Sequence, residues 1–219
     1  MSYTIRLILS FSIIIPVVIS WVRFKQINPA YYPFIFCLWV GLVNEIVSYF
    51  ISKITHSNAV NNNIYVLLES FFITWQFYAW KLFGRFRSLY IFILCTLSAV
   101  WITENFIIAA ITSFSSYFII TYSFIIVLMS ISVLNMLLEN ERKSLLTNPV
   151  FLLCITFIIY FTCNVLVETF WIYGLDSSTE FRSNVYRILV FINLFANLVY
   201  AIAIIWMPTK QRFTLPSSS

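Results

Sequence analysis

The sequence predicts an all-α polytopic membrane protein with seven transmembrane helices, N-terminus outside and C-terminus inside. Three observations predict it. Of 219 residues, 61% are hydrophobic and only 10% charged, whereas soluble domains carry about 25% charged residues. So few charges leave too little polar surface to cover a water-soluble globule. Those charges cluster between apolar runs of about 20 residues, the length that spans a bilayer. Finally, Lys and Arg divide unequally between the two sets of connecting segments. One set holds Arg23, Lys25, Lys81, Arg85, Arg87, Arg142, Lys143, Lys210 and Arg212; the other holds Arg6, Lys53, Arg182 and Arg187. The richer side is expected to be cytoplasmic, so the net charge of +5 encodes topology and not a nucleic-acid footprint.

The spans are expected at 4–22, 30–51, 64–83, 88–109, 114–138, 149–173 and 184–207, within a single transmembrane domain covering 1–219. The first is apolar almost from its start and lacks a small-residue cleavage pattern before Arg23, which predicts a retained span and not a signal peptide. Asn-Pro opens the second and sixth spans. Asn61, Asn62 and Asn63 precede the third and are expected to cap it in water. The fourth joins two triplets. Residues 208–219 read as a short cytoplasmic tail, too polar to pack alone. The four cysteines, Cys37, Cys95, Cys154 and Cys163, lie in apolar runs without CxxC spacing and serve as small apolar residues. Usage rich in Ile, Phe and Asn points to a bacterium with an AT-rich genome, and hence to the plasma (inner) membrane.

Sliding the chain by 120 residues sets 5–30 against 125–150 without a gap. Ser10 then meets Ser130, Ser12 meets Ser132, Arg23 meets Lys143, and Asn28-Pro29 meets Asn148-Pro149. With small gaps, Glu45 meets Glu168 and Asn63-Ile64-Tyr65 meets Asn184-Val185-Tyr186. Helices 1–3 would repeat as helices 5–7 in parallel, about an axis along the membrane normal. This three-plus-one-plus-three layout resembles that of the SWEET and PQ-loop transporters, which implies an N-out carrier. The motifs of that family do not follow: no Pro-Gln pair closes helices 1 and 5, and Pro16 of helix 1 has no counterpart in helix 5. Separately, the asparagine run, Ile64-Tyr65 and Glu69 in the third span resemble small seven-helix membrane proteins of Bacteroidota, a likeness that brings no function with it.

The chemistry lies in four acidic residues within spans: Glu45, Glu69, Glu104 and Glu168. Counted from the outer helix ends, each lies five or six residues in, about 8–9 Å at 1.5 Å per residue, so all four are expected at one depth. A carboxylate at a span centre costs about 2.5–3.5 kcal/mol on insertion scales, which predicts that the four face the bundle interior. Arg187 is the expected counter-ion, with Arg182, Lys53 and His56 on the same side. Asn164 shares a helix face with Glu168, and Asn193 with Asn197, four residues apart in each case. Asn44 and Asn105 neighbour Glu45 and Glu104 but are expected to point elsewhere. Tyr65, Trp101, Trp171, Tyr173 and Tyr186 would ring the outer ends.

An outward-facing, Glu-lined pocket suits a small polar or cationic ligand. Three classes of function use such a site. A small-solute or ion carrier fits the repeat and the short loops, although transporter helices are usually broken by Gly or Pro and only Gly41 and Pro16 lie well within spans. A seven-helix receptor or accessory subunit would signal through a partner membrane protein. An intramembrane enzyme would rest on a carboxylate-only divalent-metal site, since hard cations prefer oxygen ligands; one histidine and the absence of HExxH and GxSxG disfavour other chemistries. No catalytic residue or cofactor is assigned.

Overall fold

Among the described residues seven α-helices follow one another: α1 (Ile14–Arg23), α2 (Tyr32–Thr55), α3 (Ala59–Ala79), α4 (Arg87–Ile102), α5 (Ser116–Asn140), α6 (Pro149–Tyr173) and α7 (Thr179–Trp206). The computed structural model describes residues 9–55, 57–84, 86–140, 145–173 and 179–209. Outside them lie Arg6 and the start of the first expected span, His56, Arg85, Arg142, Lys143, Gly174, and the tail with Lys210 and Arg212. The side chains of Arg182, Asn184 and Tyr186 also lie outside the described residues.

Five stretches are long and apolar enough to cross a membrane: Pro29–Thr55, Arg87–Ile108, Ser116–Glu139, Pro149–Tyr173 and Arg187–Trp206. α1 is a shorter apolar helix, prolonged by a 3-10 turn at Phe11–Ile13. α3 is not among the five; it starts at Ala59, not at residue 64, and includes three consecutive asparagines as well as Glu69 and Gln76. The asparagines do not cap the helix from water as expected. Asn58 takes the cap position without a side-chain bond, and Asn63 is fully buried.

The packing closes a ring. α1 lies against α2, α2 against α3, α3 against α5, α5 against α6, α6 against α7, and α7 against α1. α4 packs on α3 and α5 and is the least buried of the five long apolar helices. Aromatic side chains fill the ring. Phe34 of α2 meets Phe157 of α6 edge-on at 6.0 Å and Tyr200 of α7 at 5.1 Å, while Phe77 of α3 meets Phe157 at 6.1 Å. Such edge-to-face pairs add to the burial of their large apolar area.

Polar side chains lock both ends. At the end bearing Arg23, its guanidinium donates to the carbonyls of Ile204, Ile205 and Met207, satisfying the last turn of α7. The Asn28 N–H bonds the Pro208 carbonyl at 3.0 Å, and Ile27 pairs with Thr209. Asn28 caps its own turn by accepting from Ala30 N at 3.0 Å, with Pro29 at the first position. Asn148 does the same before Pro149, accepting from Val150 N at 2.9 Å. Gln76 of α3 is fully buried. Its Oε1 accepts from Phe34 N at 2.9 Å and its Nε2 donates to Ala30 O at 2.6 Å, occupying the two groups that would pair as an i, i+4 bond at the start of α2.

At the opposite end Asn63 is the hub. Its Nδ2 donates to Asn105 Oδ1 and to the Ile111 and Ser113 carbonyls at 2.6–3.0 Å, and its Oδ1 accepts from Ser115 N at 3.1 Å. Trp101 Nε1 donates to the Asn63 carbonyl at 2.8 Å. α3, α4 and the loop leading to α5 are thereby tied at one level. Just before that loop the chain widens into a π-helical turn, Thr103–Ile108.

Candidate functional site

The interior of the ring holds a cavity of about 50 Å³ that combines polar groups with aromatic walls. That is room for a few waters, since one needs about 10–15 Å³ measured in this way. It opens between α2, α3, α6 and α7, with Ile13 at its edge. Glu69, Asn193 and Asn197 line it together with the tyrosines Tyr65, Tyr160 and Tyr200. Phe34, Phe157 and Phe161 supply apolar wall, and Cys37 presents a buried thiol.

Glu69 sits at the midpoint of α3, ten residues from either end. Its side chain is buried, and both oxygens are held by phenols: Tyr65, one turn earlier, donates to Oε1 at 3.0 Å, and Tyr122 of α5 donates to Oε2 at 2.8 Å. Bonds to a charged acceptor are the stronger kind, and a carboxylate with two donors retains lone pairs for a third. Tyr65 reaches this position because Gly41 of α2 carries no side chain. A Cβ there would lie 3.2 Å from the Tyr65 hydroxyl and 2.8 Å from Ile13 Cδ1.

Across the cavity Asn197 Nδ2 donates to Ser12 Oγ at 2.8 Å and, more weakly, to Asn193 Oδ1 at 3.5 Å. The face shared by Asn193 and Asn197 on α7 is therefore the cavity face. Asn164 is buried on α6 but is not among the cavity-lining residues.

The other three carboxylates do not line the cavity. Glu45 accepts a 2.5 Å bond from Ser10 and joins α2 to the segment before α1. Glu104 accepts from the N–H groups of Tyr117 at 3.0 Å and Phe118 at 2.5 Å, capping the start of α5, where a carboxylate also meets the positive end of the helix dipole. Glu168 is half-buried near Glu104 and takes a hydrogen bond from the Ser116 side chain.

The expected single layer is in fact two levels. Asn105, next to Glu104, bonds Asn63, and Glu69 follows Asn63 by six residues, about 9 Å of helix. Glu45 belongs with the upper group, because its neighbour Asn44 accepts from Asn61 at 2.7 Å. The extra turn at the start of α3 is what carries Glu69 down. Nor does Asn105 point away from Glu104. Both are buried against the start of α5 within the π-helical turn, Asn105 accepting from Ser115 Oγ at 2.9 Å.

Arg187, the expected counter-ion, is half-buried on α7 and does not line the cavity. Among the described residues its Nε is buried without a hydrogen-bond partner. No group of three or more His, Cys, Asp or Glu side chains placed to hold a metal occurs among the described residues.

Sequence reasoning passes over Tyr122, Tyr160 and Tyr200, names Ser12 only as a repeat match and Cys37 only as a small apolar residue, and assigns Tyr65 to the outer aromatic ring. The available signal is position. Tyrosines belong at span ends, where the hydroxyl meets water; Tyr122, Tyr160 and Tyr200 lie well inside spans, where a buried hydroxyl requires a partner. Comparison with protein-family models, curated proteins and solved structures yields no match.

Proposed function

We propose that this chain is a multi-pass carrier of the plasma membrane that binds a small polar or cationic solute in the cavity around Glu69. The observation that carries this reading is a buried carboxylate at a helix midpoint, held by two phenols beside an open polar space. Acidic groups inside membrane helices mark solute and proton pathways by default. In this reading α1 and α3 complete seven spans, the Arg23 end faces the cytoplasm, and the Asn63 end faces outward.

The order of helices around the ring supports a parallel duplication. If α1, α2 and α3 correspond to α5, α6 and α7, the α3–α5 joint corresponds to the α7–α1 joint, and α4 stands apart as a linker. The matched Asn28-Pro29 and Asn148-Pro149 pairs also perform the same capping task. The serines do not repeat: Ser10 and Ser12 bond Glu45 and Asn197, whereas Ser130 and Ser132 bond carbonyls of their own helix.

A second reading, a receptor or accessory subunit with a partner membrane protein, is favoured by the locks formed by Arg23, Asn28 and Gln76. These oppose the opening that transport requires. Flux in liposomes separates the two. Wild type is expected to carry protons or small cations and Glu69→Gln to lose that flux. Flux unchanged by the substitution removes Glu69 from the mechanism, and no flux under any gradient leaves the receptor.

A further inference from the structure

We infer that the solute taken by the Glu69 cavity is a small ammonium-type cation, ammonium itself or a primary amine of one or two carbons. This assignment rests on the proposal that the cavity is a solute site, and it follows from the donors and acceptors facing that space. Tyr65 commits its hydrogen to Glu69, so its oxygen can only accept further bonds. Both hydrogens of Asn197 Nδ2 are committed, to Ser12 and Asn193, so Oδ1 is what this amide can still offer a ligand. Glu69 itself only accepts when ionised. No Lys, Arg or His is among the cavity-lining residues. Asn193 Oδ1 is used by Asn197, so that amide offers its Nδ2 donors; beside it Glu69, Tyr65 and Asn197 Oδ1 all offer acceptors, which suits a ligand that brings several N–H donors and a positive charge.

The walls discriminate further. Phe34, Phe157 and Tyr200 present aromatic rings, whose faces attract an ammonium head and tolerate a short alkyl stem. Calcium and magnesium take about six or more oxygen ligands, usually with several carboxylates, and Glu69 is the one carboxylate among the lining residues. A cation would stabilise Glu69 in its ionised form in this low-dielectric interior, whereas a neutral polar solute would not. Size discriminates too: about 50 Å³ accommodates about three to five water-sized groups, which favours an amine of two or three heavy atoms over a quaternary ammonium of five or more.

The test is saturable binding of radiolabelled methylammonium to the purified full chain in detergent. Binding is expected to be competed by unlabelled ammonium and ethylammonium, and not by potassium, tetramethylammonium or urea. Glu69→Gln is expected to bind at least about tenfold more weakly, while Glu45→Gln, outside the cavity, binds as wild type does. The competition profile of wild type decides the matter even if Glu69→Gln fails to fold. No saturable binding, or equal competition by potassium or urea, overturns the assignment. The carrier reading is judged separately. Methylammonium binding without uptake into liposomes keeps the ligand class and removes transport; uptake of a neutral solute without methylammonium binding does the reverse.

Discussion

The phenol of Tyr122 on α5 donates to Oε2 of Glu69 on α3 at 2.8 Å, tying two helices together at the level of the cavity. Tyr65 approaches the other oxygen from within α3 itself. Glu69 thus has one anchor across the ring and one on its own helix, and the two should behave differently when removed.

Tyr122→Phe keeps the ring packed on Phe118 and Phe161 but leaves the buried Glu69 one donor short on the cavity wall. The expected loss is about 1.5–3 kcal/mol, the value of a hydrogen bond to a charged group. Tyr65→Phe removes a bond that joins no second helix and should cost less. Unfolding of both variants in detergent, compared with wild type, checks the order; a Tyr65→Phe loss equal to or larger than that of Tyr122→Phe contradicts it.

Asn63→Leu should be the most damaging single change at its end of the molecule. It strands the buried Ser115 N–H and takes a donor from Asn105 Oδ1 and from two loop carbonyls, and a buried group left unpaired costs about 1–3 kcal/mol. The neighbouring Asn62 is only partly buried, and Asn62→Leu should stay within about 0.5 kcal/mol, as surface changes do. Comparing the expression and melting of the two variants tests this directly.

These residues also show what the sequence discloses and what it does not. Helix number, type and approximate limits are legible because the apolar runs, the Asn-Pro starts and the scarcity of charge all act locally. Glu69, Asn193 and Asn197 are legible as interior groups because polar side chains inside apolar spans must find partners. Their partners are not legible, since Tyr122, Ser12 and Gly41 come from distant parts of the chain and only ring closure brings them near. The start of α3 is misplaced for a related reason. Asparagines normally mark helix ends, but Asn63 is drawn into the helix by tertiary bonds to Asn105 and Ser115 that outweigh its local preference. That one turn converts an expected layer of four carboxylates into an upper group of three and a deeper Glu69.

Gly41→Ala probes the space that lets Tyr65 reach Glu69. The added methyl lies 2.8 Å from Ile13 Cδ1 and 3.2 Å from the Tyr65 hydroxyl. Ile13 can yield at the end of its side chain, whereas Tyr65 is held by Glu69. Overpacking should cost about 1–3 kcal/mol. Adding Ile13→Val should restore part of the stability but not solute binding, because displacement of Tyr65 persists. Full recovery of binding in the double variant would place the conflict at Ile13 instead.

Gln76→Leu removes the amide that occupies the first turn of α2 and leaves both Phe34 N and Ala30 O without it. If the first turn does not close its own i, i+4 bond, the loss is about 1–3 kcal/mol for the buried Phe34 N–H. If it does close, the loss stays under about 1 kcal/mol. Hydrogen exchange at Phe34 distinguishes these by whether protection of that amide survives, and the larger loss with an unprotected Phe34 is expected. Pro33, which stiffens this turn without offering a donor, is the reason to expect it.

Arg23→Lys keeps the positive charge and so leaves the basic bias of its end unchanged, while removing the planar fork. The guanidinium serves three carbonyls at once, two in the last turn of α7 and that of Met207 just beyond it. An ammonium is a single donor centre with a different geometry and will not reproduce that set. The expected consequence is fraying of the last turn of α7, seen as faster exchange at Ile204–Met207, with a loss of about 1–2 kcal/mol in global stability. In a carrier this contact also opposes opening at the same end, so the variant should transport faster than wild type, or leak, while binding solute equally well. Faster exchange with unchanged flux would show that Arg23 is a structural cap with no part in gating, and slower exchange would contradict the cap itself.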